Sequence, residues 1–350
     1  MGETLSIGLL LPQRGPIGMW RLSCENCVNL AIAELNAAGG VLGRELSYQL
    51  IDASGPAYQV ADSVSREIEH SRIDALVGMH TSDIRVAIAK HIKPDVPYIY
   101  TPLYEGGETD KSIFMVGQTP EHQTKPMISW LASQLGAKRW FLIGNDYNYP
   151  YVSNQCAKEF IKKDNGHVVG ERYVSADADD FSDILSEIAS KEPDAVFVNL
   201  IGCSNVRFNR QFGQSELPRR IIRFCAVLEE NTVLGIGAEN TDGIFTSTSY
   251  MRNTADNNAN VLERLYTQYF GPTAPMLNQF AASCYEGIHL LSTLAQQANS
   301  ISIKALAGLN QDTVALHGPR GELELRDNHL IAKTHAVHLR GIDMEYIKSF

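Results

Sequence analysis

The chain has 350 residues, 44% hydrophobic and 20% charged, enough to bury the cores of two ordinary domains. Its 30 Lys and Arg against 40 Asp and Glu leave a net charge of -10, which repels a phosphate backbone and argues against direct nucleic-acid binding. No apolar run approaches the roughly 20 residues of a membrane helix; the longest near the start, Ile7 to Leu11, stops at Pro12.

The opening MGETLSIGLLLP has no basic n-region, apolar h-region or small-residue cleavage site, which favours a cytoplasmic protein, or a periplasmic one whose leader has been trimmed. Short apolar runs then alternate with segments of helical period. Strands are expected at Leu5 to Leu11, Leu46 to Ile51, Ala75 to Met79, Tyr98 to Thr101 and Ile113 to Val116, with helices near 21 to 37, 58 to 71 and 82 to 92. The alternation resumes with strands at Trp140 to Ile143, His167 to Val174, Ala195 to Leu200, Ile221 to Ala226 and Gly243 to Ser247, and helices near 122 to 135, 151 to 164, 181 to 190 and 204 to 212. Strands this apolar, joined by helices, read as parallel and covered on both faces, so the fold class is α/β with two doubly wound units. Beyond Tyr250 come helices near 258 to 269, 277 to 297 and 302 to 308, then strand-like pieces at Glu322 to Arg326 and Thr334 to Leu339. This tail is too poor in strands for a third unit. Lobe one is therefore expected to hold 1–119 with 250–320, and lobe two 120–249 with 321–350, with a ligand cleft between them. The crossings are placed at Gly117 to Glu121, Ser247 to Asn253 and Gly318 to Asn328.

Several chemistries find no support. The first strand-to-helix turn offers only Gly15 and Gly18 where a dinucleotide needs three glycines, and neither a phosphate loop nor a His-Glu-x-x-His occurs. Cys24 and Cys27 form a single Cys-x-x-Cys on one helix face, a packing pair, and the six cysteines lack the spacing of a disulfide scaffold. Cys203 follows a strand without a nucleophile elbow. No catalysis, metal or cofactor is expected.

Ligands of open α/β sheets sit beyond the carboxyl ends of the strands. Three such ends are GMHTSD, with His80, Thr81 and Ser82; YIYTPLYEGG, with Tyr100, Pro102, Leu103 and Tyr104; and GNDYNYPY, with Tyr147 and Tyr149. Ser82 is placed to cap a helix or, with that helix's free N–H groups, to meet a carbonyl or carboxylate. The Pro102 turn either directs carbonyls at ligand N–H groups or is a simple strand-end turn with surface tyrosines. Glu229 either complements a helix dipole or meets a cationic group. A core would prefer aliphatic residues to the tyrosine run, whereas a ligand supplies the partner a buried phenol needs; Tyr151 is expected to face solvent or the next helix.

IAELNAAGGVLGRELSYQLIDASG, YIYTPLYEGGE, GQTPEHQTKPMISWL and RWFLIGNDYNYPYVSN resemble the type I periplasmic-binding-protein superfamily, the leucine/isoleucine/valine-binding group, over about residues 5 to 340. Within it they are most similar to the amide-sensing negative regulator of the aliphatic amidase operon and to urea- and short-amide-binding proteins of ABC importers. Asp146 to Pro150 with Tyr104 to Gly106 carry the likeness; His80 and the order Thr101-Pro102-Leu103 depart from the sensor's pattern. The resemblance implies lobes closing on acetamide, urea or a similar solute held by Ser82, Tyr100, the Pro102/Leu103 backbone, Tyr147 and Tyr149. It also implies a protein partner, either an RNA-binding antiterminator or an ABC permease. Branched-chain amino acids held through Glu229 remain an alternative, as does a homo-oligomer.

Overall fold

The computed structural model describes residues 4–70, 73–92, 96–252, 257–311 and 314–350. It divides into two α/β units, Met1–Gln118 with Tyr250–Ala332, and Thr119–Ser249 with Lys333–Phe350. The first begins with β1 (Leu5–Leu11), α1 (Arg21–Ala37), β2 (Leu46–Asp52), α2 (Ala57–Glu69), β3 (Ala75–Gly78), α3 (Ser82–Ile92), β4 (Tyr98–Tyr100) and β5 (Ile113–Met115). The second holds α4 (Pro120–Gln134), β6 (Arg139–Asn145), α5 (Asn148–Lys163), β7 (His167–Val174), α6 (Ser182–Lys191), β8 (Ala195–Asn199), α7 (Gly202–Gly213), β9 (Ile222–Cys225), α8 (Glu230–Ile236) and β10 (Ile244–Thr248). The chain returns to the first unit as α9 (Asn257–Phe270), α10 (Gln279–Ala298), α11 (Ile303–Ala307), β11 (Ala315–Gly318), β12 (Gly321–Arg326) and β13 (His329–Ile331). It closes in the second with β14 (His335–Arg340) and β15 (Asp343–Ser349).

β3, β8 and β10 are buried at every residue, as strands covered on both faces must be. The first sheet runs β11-β12-β13-β5-β4-β3-β1-β2, with β1 to β5 parallel. The second runs β15-β14-β10-β9-β8-β6-β7, with β6 to β10 parallel and the β14–β15 hairpin antiparallel. In each sheet the chain steps first to one side of its opening strand and then to the other. The order therefore reverses between β1 and β3 in the first unit and between β6 and β8 in the second, and such reversals open a crevice beyond the strands' carboxyl ends.

α10 shows how the returning segment is fixed. Asn278 caps it, accepting from the Phe280 and Ala281 N–H groups at 3.0 Å while its amide donates to Ser23 of α1 at 3.1 Å. Gly287 lets this helix lie on β4: a Cβ there would stand 2.9 Å from Thr101 Cγ2.

Three expectations need correction. Residues 321–332, assigned from the sequence to lobe two, belong to the first unit, because β12 pairs with β11 and β13, and β13 joins β5 at His329 and Met115. Gly318 to Asn328, read as a crossing, is strand β12, whose Glu322 to Arg326 was also read as strand-like, with the turns that join it to β11 and β13. Its linker-like composition comes from tight turns, with Asp327 (φ 49) and Asn328 (φ 61) in the left-handed region that these residue types tolerate. α5 also starts at Asn148, earlier than the expected 151, since Pro150 is accepted in a first turn where no N–H is needed. The expected helix end at 71 and the crossing residue Asn253 lie outside the described residues.

Candidate functional site

At the first unit's reversal, β3 ends on Gly78, where a Cβ would stand 2.7 Å from His80 Nε2. His80 therefore folds back into the core. Its Nδ1 lies 3.0 Å from the Thr81 carbonyl and its Nε2 2.6 Å from the Tyr98 hydroxyl. A carbonyl only accepts, so Nδ1 carries the proton and Nε2 accepts from the phenol. Burial lowers the His80 pKa to about 4, so the ring is neutral. Thr81 supplies the carbonyl for the first turn of α3, accepting from Arg85 N at 3.4 Å. The capping position expected at Ser82 thus falls one residue earlier. Ser82 is instead the first helical residue, 1% exposed, and its hydroxyl has no hydrogen-bond partner among the described residues.

Tyr100 and Tyr104, read as strand-end residues, lie in the core with Leu10, Ile84 and Ile88. Tyr98 and Tyr100 are two apart on β4 and share one face, and the Tyr100 hydroxyl donates to the His80 carbonyl at 2.8 Å. The Arg85 guanidinium stands 5.4 Å from the Tyr100 ring and 5.6 Å from that of Tyr104, and pairs with Glu105 and Glu108. Gly106 (φ 88) and Gly107 (φ 75) turn the chain so that both carboxylates meet this one cation. Tyr104 to Glu108 is thus a clamp on α3. Sequence reasoning missed it, although a lone Arg beside Ile84 and Ile88 was a signal. The Pro102–Leu103 peptide rests on Gly117, where a Cβ would stand 1.9 Å from the Pro102 oxygen. The structure therefore groups His80, Thr81, Ser82 and Tyr100, and turns the Pro102 carbonyl toward Gly117.

At the second unit's reversal, Tyr147 occupies the N-cap position of α5 with extended backbone (φ -158, ψ 175). It is half-buried; Tyr149 is buried, and their rings stack at 6.5 Å. Tyr151, two positions on and so about 200° around the helix, turns outward. It stacks on Tyr173 of β7 at 4.0 Å and donates to Asp146 Oδ1 at 2.8 Å. Asn145, ending β6, accepts from Ile201 N at 2.8 Å and donates to Ser204 Oγ at 3.1 Å, joining the loops after β6 and β8. Asn199, ending β8, is fully buried and donates to Asn154 Oδ1 at 3.3 Å. The sequence reading passed over both asparagines, whose signal is an amide closing an otherwise apolar strand.

Glu229 is fixed in its own helix end. Its carboxylate accepts from Asn231 N (2.8 Å), Asn231 Nδ2 (3.0 Å), Thr232 N (2.8 Å) and Thr232 Oγ1 (2.6 Å), filling the roughly four acceptor positions of a carboxylate. Arg223, also buried, donates to the carbonyls of Asn209, Asn240 and Asp242 at 3.1, 2.9 and 2.7 Å. Burial lowers its pKa to about 10. No cluster of three or more His, Cys, Asp or Glu side chains among the described residues is arranged for a metal ion.

The family model described as periplasmic binding protein matches residues 4–341. The Leu/Ile/Val-binding protein BraC3 of Rhizobium johnstonii is 21% identical over 55% of this chain, a match spanning only 53% of that relative. The Leu/Ile/Val-binding protein homolog 3 of Brucella melitensis is 20% identical over 69% of the chain and 67% of its own length. Among solved structures, the substrate-binding protein LivJ of Streptococcus pneumoniae in complex with isoleucine superposes with a TM-score of 0.85 at 20% identity, covering 99% of both chains. An R. palustris ABC-transporter solute-binding protein in complex with 4-hydroxybenzoate gives 0.90 at 17% identity, over 99% of this chain and 97% of that one. These likenesses establish the fold, two α/β lobes of the type I periplasmic-binding-protein kind. With its family match running through nearly the whole sequence, the chain belongs to the periplasmic binding protein family, in the type I superfamily that holds the Leu/Ile/Val-binding group.

Proposed function

We propose that this protein is the solute-binding component of an ABC importer and that its solute is small, polar and uncharged, of the amide or urea type. The importer role follows the names carried by its relatives and structural neighbours. The observation that carries the solute class is that two charged groups near the strand ends are already engaged. Glu229, the acid an amino acid's ammonium would need, already has four donors, and Arg85, a cation an aromatic acid would need, already has two carboxylates. Neutral groups also stand at these ends: in the first unit the Ser82 hydroxyl beside the first-turn N–H groups of α3, suited to a carbonyl oxygen, and in the second the stacked Tyr147–Tyr149 rings, suited to covering a small planar molecule.

A four-heavy-atom solute gains at most about 6 kcal/mol, which limits its Kd to tens of micromolar or weaker; at about 10 mM it would then stabilise the fold by on the order of 3 kcal/mol. Thermal melting with acetamide, propionamide, urea, leucine and 4-hydroxybenzoate tests this. We expect stabilisation by the amides; stabilisation by leucine or 4-hydroxybenzoate alone would reject the class. The Asp146 to Pro150 and Tyr104 to Gly106 motifs favour a second reading, an amide sensor that sequesters an RNA-binding antiterminator. Copurification of such a protein, released by acetamide, would move the assignment there.

A further inference from the structure

A hydrogen-bond chain in the second unit has a fixed direction, and it ends on an unpaired atom. Glu171 of β7 is ion-paired through Oε2 with Lys158 Nζ at 2.7 Å, and its Oε1 accepts from the Tyr173 hydroxyl at 2.7 Å. An ionised carboxylate can only accept. The Tyr173 proton is thereby committed, and its oxygen accepts from Asn154 Nδ2 at 3.2 Å. That orients the Asn154 amide with its oxygen toward Asn199, whose Nδ2 donates to it at 3.3 Å. Asn199 is left presenting an oxygen. That Oδ1 is buried and has no hydrogen-bond partner among the described residues, a condition that native structures rarely tolerate without a purpose.

The position matters as much as the polarity. Asn199 closes β8 at the reversal between β6 and β8, in register with Gly144 of β6. Register partners in a parallel sheet point to the same face, and over Gly144 sits Pro150 of the first turn of α5, 2.8 Å from where a Cβ would be. The orphan oxygen therefore lies at the carboxyl end of β8, on the face that carries the first turn of α5, at the switch point beyond whose strand ends ligands of such sheets are held.

Resting on the solute-binding reading above, we propose that Asn199 Oδ1 accepts a hydrogen bond from an N–H group of the bound solute. Glu171 acts as a positioning residue that, through Tyr173 and Asn154, keeps the Asn199 amide from flipping. The site then selects for a donor: acetamide or urea fits, whereas acetone, which replaces the amide NH2 by a methyl group of similar size, leaves the oxygen unpaired.

The test is calorimetric titration of the full chain with acetamide, urea and acetone, for wild type, Glu171→Gln, Asn199→Asp and Asn199→Leu. Wild type should prefer acetamide over acetone by at least about tenfold. Asn199→Leu removes the acceptor and abolishes the preference, whereas Asn199→Asp retains an acceptor, and with it the preference, but turns an oxygen toward Asn154 Oδ1 in place of the lost N–H donor and should melt lower than wild type. Glu171→Gln is the decisive variant. Glutamine both donates and accepts, so the chain can reverse, and the acetamide-to-acetone ratio should fall by about fivefold or more with an unchanged melting curve, which a purely structural role would not produce. Wild-type ratios in both Glu171→Gln and Asn199→Leu overturn the proposal, as does a solute-bound crystal structure in which a water joined only to protein satisfies Oδ1. If wild type binds leucine or 4-hydroxybenzoate and no amide, it is the solute-class reading that fails. The Asn199 assignment is then decided on that solute: an affinity loss of about tenfold in Asn199→Leu sustains it, and unchanged affinity overturns it.

Discussion

Replacing Glu229 by glutamine separates a structural carboxylate from a ligand-binding one. The wild-type side chain accepts from four donors, two of them the backbone N–H groups that open α8. Glutamine retains one acceptor oxygen and turns an NH2 toward the remaining donors. Loss of a helix cap costs about 0.5–2 kcal/mol, and a hydrogen bond to a charged group contributes about 1.5–3 kcal/mol, so a net loss of about 2 kcal/mol is reasonable for the partly retained cap. In a domain of about 150 residues each kcal/mol moves Tm by about 2–4 °C, so the midpoint should fall by about 4–8 °C. Circular-dichroism melting gives that number, and calorimetric titration of the same sample gives solute affinity, which should stay within about twofold of wild type. An unchanged Tm with binding weakened more than about tenfold would refute the reasoning and show that Glu229 holds a ligand cation.

Three further outcomes are expected. His80 has a folded pKa near 4 against 6.5 when exposed, so the unfolded chain binds the extra proton between those values. The stability this neutral ring preserves is full above pH 6.5 and is lost as pH falls to 4, a difference of about 3 kcal/mol that His80→Gln should remove from the pH profile of urea unfolding. Parallel profiles for the two proteins would show that His80 is not a buried neutral group. In Gly117→Ala the new methyl collides with the Pro102 oxygen, 1.9 Å away, and must displace the Pro102–Leu103 turn; urea unfolding should register a loss of about 2–3 kcal/mol, and a silent variant would contradict the packing. Tyr147→Ala and Tyr149→Ala should each weaken solute binding by about 2 kcal/mol, while Tyr151→Ala, losing its stack on Tyr173, should cost about 0.5–1.5 kcal/mol of stability and leave affinity intact. Equal effects of all three on affinity would mean that the outward orientation of Tyr151 is wrong.

The parallel strands were legible because a strand covered on both faces has a continuous apolar run, as in the fully buried residues of β3 and β8. β12 was legible as a strand at Glu322 to Arg326, but β11 and the pairing of the two were not, because the Gly, Pro and charged residues around them serve tight turns yet look like a linker. Tyr147 and Tyr149 could be placed at a strand end from spacing alone. The core positions of Tyr100 and Tyr104 could not, since they depend on Arg85 arriving from α3 to meet Glu105 and Glu108, and no local pattern encodes a partner about 20 residues away. Asn199 was overlooked for a similar reason. A single amide is unremarkable until Asn154, Tyr173 and Glu171 are seen to fix its direction.

The proposed binding of a small uncharged amide-type solute stands or falls on calorimetric titration of the wild-type protein with acetamide, followed by leucine in the same cell. One solute per chain with a Kd of tens of micromolar or weaker, and no further heat from leucine, is the predicted result. Silence toward acetamide and urea with saturable binding of leucine would contradict it.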